Sequence, residues 1–220
     1  MSKMELHQID SEDIEDIIVQ LQESLGTTFP NDAFKDVDTF GELVTAVENN
    51  LTVEHAANCT SQQAFYRIRK ALKEMNIDQK IMPSLRLNTI FPKKNRRAIV
   101  NEFSSHLKID IKLLQPHGRV LNPTLTCLFF GVILLFIYPL IGFLTIACSI
   151  LALRLVSRYG SMLRVNDVRE LSELLRNEKY SLTRSTPTIN RKEIQDILVS
   201  YLEPYELAEL TSDSKFEWAK

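Results

Sequence analysis

The residues able to do acid–base, nucleophilic or metal chemistry show no catalytic spacing in this 220-residue chain. The four histidines lack metal-ligand spacing, and no GxSxG sequence or glycine-rich phosphate loop occurs. The clustered acids Asp13, Glu15 and Asp16 are better explained as a solvated helix face than as an acid–base pair. The three cysteines lack CxxC spacing. We therefore predict no catalytic residue, no metal site and no enzymatic activity.

Charge is distributed unevenly along the chain. Residues 9–57 contain twelve acidic side chains and one basic side chain. Residues 67–119 reverse this balance, with thirteen Lys or Arg against four acids, and residues 125–153 carry no charge. The net charge of −2 is the sum over these unlike regions, and by itself it excludes no class of function.

The uncharged residues 125–153 form an apolar tract of a length typical of membrane-spanning segments. As one helix the tract would be about 44 Å long, and a bilayer core of about 30 Å would require tilt or a kink at Pro139. A hairpin turning near Tyr138 would instead have arms at 121–138 and 139–156. Basic residues prefer the cytoplasmic side and flank both ends of the tract. We therefore favour a transmembrane helical hairpin in an integral membrane protein with both termini cytoplasmic.

A basic cluster before the tract contains Lys93, Lys94, Arg96 and Arg97. Lysine and arginine clusters near a membrane bind anionic lipid headgroups, with about 1 kcal/mol for each residue. The sequence leaves two other roles open, contact with the acidic N-terminal region and a solvated surface. No nucleic-acid-binding motif accompanies the cluster, so we predict membrane lipids as partners and no nucleic acid.

The acidic N-terminal region contains two stretches with apolar residues at helical spacing. Gly26 and the turn Phe29-Pro30-Asn31 end the first stretch. The second begins after Val37-Asp38-Thr39, where Asp38 or Thr39 can cap a helix. The residues themselves indicate only a small acidic helical domain.

The order of these pieces resembles the second half of an acyl carrier protein, with Phe29-Pro30-Asn31 at the family's turn and Val37-Asp38-Thr39-Phe40 opening its last helix. The family's interval back to its carrier serine ends at Asp10-Ser11. The resemblance implies that Ser11 carries 4′-phosphopantetheine, at a helix start whose free N–H groups suit a phosphodiester. Glu12 departs from the family, which has a leucine there that helps the modifying transferase to engage. Helix capping by Ser11 or Asp10 is the alternative reading.

The C-terminus resembles the family's first helix, which the N-terminus has no room for. Residues 190–202 are amphipathic, and residues 211–216 form the Thr-x-x-x-x-Phe pattern that precedes the carrier serine in the family. We therefore predict a circularly permuted fold whose halves meet on one side of the membrane. An ordinary amphipathic helix with a polar tail is the alternative for this segment. We identify no internal repeat.

Together these features predict an all-α protein in which an acyl-carrier-like small helical bundle, circularly permuted, accompanies a transmembrane hairpin. The expected function is a membrane-anchored carrier module that presents an acyl or other thioester group to lipid-making enzymes. Its expected partners are acyl-transferring enzymes and a phosphopantetheinyl transferase. The alternative function is a non-carrying adaptor that docks a basic partner through Asp13, Glu15 and Asp16. The expected segments are 1–57 (acyl-carrier-like helices), 58–120 (basic region), 121–156 (hairpin), 157–189 (amphipathic helix and linker) and 190–220 (helix completing the bundle).

Overall fold

The computed structural model describes residues 5–6, 11–30, 32–51, 53–56, 58–77, 79–116, 118–205 and 210–216, with the backbone alone at positions 5, 6, 11, 119, 157–159 and 204. The regular structure is mostly helical, with a few strands of two residues each. The predicted all-α class is confirmed.

The elements follow in chain order. The helices are α1 (Ser11–Leu25), α2 (Phe40–Asn49), α3 (Thr60–Glu74), α4 (Leu87–Ile90), α5 (Arg96–Leu107), α6 (Gly118–Ile137), α7 (Pro139–Tyr159), α8 (Val168–Glu178), α9 (Tyr180–Thr183) and α10 (Arg191–Leu202), the last followed by the 3-10 turn Glu203–Tyr205. The strands are β1 (Glu5–Leu6), β2 (Glu54–His55), β3 (Leu114–Gln115), β4 (Met162–Leu163), β5 (Thr188–Ile189) and β6 (Lys215–Phe216). β1 pairs with β6 and β2 with β5 in parallel, and β3 pairs with β4 antiparallel.

The chain divides into two compact units. The terminal unit contains residues 1–70 together with 171–220, and the central unit contains residues 71–170. One boundary between the units falls inside α3, and the other falls inside α8. This division differs from the five segments expected from composition.

The terminal unit has a hydrophobic core to which both ends of the chain contribute. Its helices bury apolar side chains three or four positions apart, the spacing that places side chains on one helix face. These side chains are Ile14, Ile17, Leu21 and Leu25 from α1, Phe40, Leu43, Val44 and Val47 from α2, and Ile194, Ile197, Leu198 and Leu202 from α10. Phe216 of β6 is 2% exposed and belongs to the same core. Burial of each such side chain stabilises the fold by about 1.5–3 kcal/mol.

Local signals fix the ends of α1 and α2. Gly26 ends α1 in the left-handed region at φ +65°, a conformation that glycine adopts without a steric penalty. Thr39 is the N-cap of α2, where its hydroxyl accepts a hydrogen bond from the Glu42 backbone and the Glu42 carboxylate accepts one from the Thr39 backbone. This reciprocal capping box stabilises the first turn of α2.

The segment 180–189, within the region 157–189 that was expected to be an amphipathic helix and a linker, is partly buried and contributes to the terminal core. Tyr180 and Thr183 of α9 and Arg184 just after it are all buried, and Ile189 of β5 belongs to the terminal core. The polar composition of this segment indicated a loop, but a tyrosine and an arginine can be buried when their polar atoms are hydrogen-bonded.

The apolar tract folds as a helical hairpin of α6 and α7, with Tyr138 as the single residue between them. Tyr138 N donates to Leu134 O at 2.7 Å and Gly142 N donates to Tyr138 O at 2.9 Å, so both helices keep their hydrogen bonds up to the turn. Pro139 occupies the first turn of α7, where its missing N–H is not needed. Both helices are long and apolar enough to cross a membrane, over Val120–Ile137 and Pro139–Val156. The single kinked helix is excluded.

The two ends of the hairpin meet at its base in the central unit. β3 precedes α6 and β4 follows α7, and Arg164 N donates to Leu113 O at 3.0 Å beside this pair. A Cβ on Gly160 would lie 2.7 Å from the Gln115 carbonyl carbon and from Pro116 N. The glycine therefore permits a close approach of two backbones that holds the hairpin closed.

Apolar side chains of the hairpin are extensively exposed. Only 6% and 11% of the two apolar windows are buried, and Phe129 and Phe136 are 64% and 85% exposed. A soluble monomer rarely exposes contiguous apolar patches of more than a few hundred Å².

Candidate functional site

The predicted carrier position lies at the start of a long helix. α1 begins at Ser11 and runs for 15 residues. Asp10 lies outside the described residues, and of Ser11 only the backbone is described. The first N–H groups of a helix have no intrahelical partner and favour a negatively charged group. The backbone at Ser11 is therefore suited to hold a phosphodiester.

The acidic side chains of α1 differ in their surroundings. Glu15 and Asp16 are exposed. Asp13 is half-buried, and its Oδ1 accepts a hydrogen bond of 2.9 Å from the Tyr205 hydroxyl. The structure thus divides the three predicted docking acids into two solvent-facing carboxylates and one tied to the turn after α10.

Glu12 is exposed on the first turn of α1. Its carboxylate is stabilised by the positive end of the helix dipole, but it places a negative charge one residue from the Ser11 position. Glu12 therefore contributes no packing of the kind that a leucine would supply there.

An acidic groove of about 580 Å³ lies elsewhere in the terminal unit. Its charged lining residues are Asp32, Asp36, Glu42, Arg191 and Asp213. Hydrogen bonds from the backbone N–H groups of Asp38 and Thr39 lower the pKa of Glu42, so this carboxylate stays ionised. Four carboxylates against one guanidinium make the groove negative, so it favours cationic groups.

A buried ion pair joins α10 to the residue after α9, and sequence reasoning missed it. Arg184 Nη1 lies 3.2 Å from Glu193 Oε2, with the two side chains only 2% and 7% exposed. The Tyr180 hydroxyl donates to Glu193 Oε2 at 3.1 Å, and Arg184 Nη2 donates to Thr188 Oγ1 at 2.7 Å. Buried charges are tolerated when paired and hydrogen-bonded in this way.

The same carboxylate holds the start of α3. Glu193 Oε1 accepts from Thr60 N and Glu193 Oε2 accepts from the Thr60 hydroxyl, each at 2.6 Å. Thr60 and Glu193 are both buried. No local spacing in the sequence relates these two residues, so their pairing could be found only from the fold.

Two tyrosines of the terminal unit, Tyr180 (buried) and Tyr201 (half-buried), are neutral hydrogen-bond donors. Burial raises the pKa of Tyr180, and it raises the pKa of Tyr201 to about 12. The Tyr201 hydroxyl donates to Asn177 O at 2.6 Å. Both hydroxyls therefore serve as structural donors, because neither is deprotonated at neutral pH.

The structure removes Arg96 from the predicted headgroup set. Its side chain is 5% exposed and donates to Phe91 O, Ser161 O and Asn88 Oδ1 at 2.7–2.9 Å. A buried guanidinium whose three nitrogens each donate to an acceptor inside the protein is a structural group. The Arg97 side chain, which is half-buried, donates to Gly160 O at 2.9 Å.

Lys93 and Lys94 are exposed. They precede the first turn of α5, which Arg96 and Arg97 join to the residues directly after α7. The headgroup role predicted for these two lysines is compatible with this position.

Ligand-binding chemistry of other kinds has few candidates. Among the described residues, no group of three or more His, Cys, Asp or Glu side chains is arranged to hold a metal ion. Cys59, Cys127 and Cys148 are free thiols. Comparison of the chain with protein-family models, curated proteins and solved structures gives no match.

Proposed function

We propose that this protein is a membrane-anchored, acyl-carrier-like module. Ser11 carries a 4′-phosphopantetheine group, and the module presents an acyl or other thioester to enzymes of lipid or fatty-acid biosynthesis. The apolar hairpin embeds the chain in a bilayer, with both termini on the cytoplasmic side. The partners are acyl-transferring enzymes and the phosphopantetheinyl transferase that loads Ser11.

The observation that carries the proposal is the core shared by α10, α1 and α2. In the proposed carrier fold, α10 corresponds to the family's first helix, the segment 210–216 to the loop that follows it, and α1 to the carrier helix. β1 supports this arrangement, because its parallel pairing with β6 brings the chain ahead of Ser11 beside the C-terminal segment. The chain is thus consistent with a carrier fold that is cut in the loop before its serine.

The start of α1 supports the attachment site. A phosphodiester on Ser11 would accept hydrogen bonds from the unpaired N–H groups of the first turn. When bound, the phosphopantetheine thiol supplies the thioester chemistry, while the residues of α1 position the group and face its partner enzymes.

The hairpin supports the membrane anchor. Its two helices have the length and the exposed apolar surface expected of a lipid-embedded pair, and their backbone hydrogen bonds are made within each helix. The joined base at β3 and β4 favours a topology in which both flanking segments lie on the same side of the bilayer.

A second candidate function follows from the exposed carboxylates of Glu12, Glu15 and Asp16. In this alternative, α1 docks a basic partner at the membrane and Ser11 remains unmodified. The two functions differ in whether a covalent group is present on Ser11.

Intact mass spectrometry tests the carrier function. The full chain is co-expressed with a broad-specificity phosphopantetheinyl transferase and purified in detergent. We expect one phosphopantetheine adduct that Ser11→Ala abolishes and that Ser84→Ala, which removes an exposed hydroxyl elsewhere, leaves unchanged. Because Glu12 stands where carriers have leucine, Glu12→Leu should increase the loaded fraction. Absence of the adduct from wild type and from Glu12→Leu would favour the adaptor.

A further inference from the structure

Backbone hydrogen bonds tie the start of α2 in the terminal unit to residues 211–216. They are Phe40 N to Ser214 O (2.9 Å), Gly41 N to Ser212 O (2.9 Å), Phe216 N to Asp38 O (3.0 Å) and Ser214 N to Thr211 O (3.1 Å). Thr39 also forms a β-bridge with Lys215. We call this set of bonds the junction. It holds the start of α2 against the segment 211–216, which follows α10.

The start of α8 in the central unit has the same junction. Its bonds are Val168 N to Leu85 O (3.1 Å), Arg169 N to Pro83 O (2.9 Å), Leu87 N to Asn166 O (2.8 Å) and Leu85 N to Met82 O (3.0 Å), and Arg86 forms a β-bridge with Asp167. Residues 38–41 correspond in order to residues 166–169, and residues 211–216 correspond in order to residues 82–87. These five matching backbone pairings indicate one architecture present twice. The first copy contains the segment 211–216 and α2, and the second copy contains the segment 82–87 and α8.

The helix caps at the two junctions match as well. Asp38 N donates to Glu42 Oε2 at 2.8 Å and Glu42 N to Thr39 Oγ1 at 3.2 Å. At the same displacement, Asn166 N donates to Glu170 Oε2 at 2.7 Å and Glu170 N to Asp167 Oδ1 at 2.9 Å. The match therefore extends from the backbone to the side chains of the first helical turn.

The helices between the junction segments can be aligned by their ends. α1 ends at Gly26 and α5 at Lys108, both in the left-handed region, at φ +65° and +57°. Counting back from these residues pairs buried side chains in both helices, namely Leu25 with Leu107, Leu21 with Phe103 and Ile14 with Arg96. The same count, continued three residues beyond the start of α5, brings Lys93 opposite Ser11. In the first copy, the connector from α1 to α2 spans residues 27–37. In the second copy, the connector from α5 to α8 spans residues 109–165 and includes the hairpin.

We infer that the chain contains one helical frame twice, and that the second copy binds the anionic headgroups of the bilayer through Lys93 and Lys94, at the position where the first copy has Ser11. The second copy has no hydroxyl at this position for a phosphodiester. Its connector has become the hairpin, so the copy that holds the membrane segment also presents the cations. The inference rests on the membrane placement of the hairpin in the proposed function and is independent of the modification of Ser11.

Position and charge identify lipid phosphate as the ligand. Arg96 Nη1 donates to Ser161 O and Arg97 Nη2 donates to Gly160 O, which joins the first turn of α5 to the end of α7. Lys93 and Lys94 are exposed next to this turn and form no ion pair with any residue that the structure describes. Basic residues beside a lipid-embedded helix attract anionic headgroups.

Lipid selectivity of the full chain in reconstituted vesicles tests the inference. Electron paramagnetic resonance measures the preference of the embedded chain for spin-labelled phosphatidylglycerol over phosphatidylcholine. We expect Lys93→Gln with Lys94→Gln to reduce this preference by about an order of magnitude, because each lysine contributes at most about fivefold. The matched control, Lys35→Gln with Lys192→Gln, removes two exposed charges from the terminal unit and should retain the wild-type preference.

The outcomes separate this inference from the anchor. An embedded chain whose selectivity is the same in the wild type and the Lys93/Lys94 variant would overturn the headgroup site and leave the anchor standing. A chain that alkaline carbonate strips from vesicles would overturn both. In vesicles of phosphatidylcholine alone, protection of Lys93 from acylation by added inorganic phosphate would identify a soluble-anion site instead, which also overturns the inference.

Discussion

The Glu193 carboxylate accepts hydrogen bonds from the backbone nitrogen and the hydroxyl of Thr60, both at 2.6 Å, although the two residues are 133 positions apart. It thereby satisfies an N–H group at the start of α3 that has no partner within the helix. Because Arg184 pairs with the same carboxylate, one buried acid fixes both a helix start and a cation.

Glu193→Gln is expected to destabilise the terminal unit by about 3 kcal/mol, because it leaves the buried Arg184 without its counter-charge. Native-state hydrogen exchange of the α10 amides measures the loss as a lower free energy of opening. Glu173→Gln, at an exposed position, is the matched control and should leave exchange unchanged. Adding Arg184→Met to Glu193→Gln should restore part of the stability, because it removes the unpaired charge while the amide oxygen can still accept from Thr60. Equal exchange in Glu193→Gln and wild type would contradict a role for the pair.

Tyr201 should make the terminal unit sensitive to alkali. Its pKa is about 12 in the folded chain and about 10 when unfolded, so the folded state holds this proton more tightly. The contribution is complete below pH 10 and is lost as the pH rises to 12, by about 2 kcal/mol. Denaturant unfolding at stepped pH should show a steeper decline for wild type than for Tyr201→Phe. Tyr66→Phe, which removes an exposed hydroxyl, should keep the wild-type slope.

Gly160→Ala is expected to open the base of the hairpin, because the added Cβ would meet backbone atoms of Gln115 and Pro116 that cannot rotate away. Overpacking of this kind costs about 1–3 kcal/mol. Faster hydrogen exchange at the Arg164 amide, which donates to Leu113 O, reports the opening. Gly118→Ala is the control, since nothing lies within 4 Å of its Cβ position. Unchanged exchange in Gly160→Ala would show that the added Cβ is accommodated without opening the base, which would contradict this prediction.

Phe129→Arg tests whether the exposed hairpin surface faces lipid. Phe129 is 64% exposed near the middle of α6, where an arginine in a bilayer costs about 2.5–3.5 kcal/mol. The fraction of chain that inserts into microsomal membranes should therefore fall. Tyr66→Arg, a similar change at an exposed aromatic of α3, should insert like wild type. If both variants inserted equally, the hairpin surface would not face lipid.

The helical class and the hairpin could be predicted because their causes are local. An uncharged tract needs no knowledge of distant residues, and Pro139 marks the place where a second helix can begin. The predicted arms, 121–138 and 139–156, agree closely with the helices Gly118–Ile137 and Pro139–Tyr159. The crossing of a bilayer and the side on which the termini lie remain predictions.

The buried polar residues could not be predicted, because their partners are distant in sequence. Arg96 belongs to a basic cluster by composition. Two of its acceptors, on Phe91 and Asn88, are near it in sequence, but the third, Ser161 O, lies 65 positions away beyond the hairpin. The 180–189 segment was misread for the same reason, since Tyr180 and Arg184 are buried by their bonds to Glu193 and Thr60. The modification of Ser11 stays a prediction.

The repeated frame was missed because it is preserved mainly in backbone hydrogen bonds, and in residue type only at single cap positions such as Glu42 and Glu170. Backbone donors and acceptors at the junction are indifferent to side chains, so Ser214 and Leu85 make equivalent bonds. The first copy is also split between the two ends of the chain, and the hairpin lengthens the connector of the second. Each of these changes removes the regular spacing by which a repeat is recognised in sequence.

The core shared by the two ends has a consequence for biosynthesis. Translation proceeds at about 5–20 residues per second, so roughly ten to thirty seconds separate the emergence of α2 from that of α10. Throughout this interval the apolar faces of α1 and α2 lack the helix that covers them. The nascent N-terminal region therefore cannot complete its core until α10 has left the ribosome.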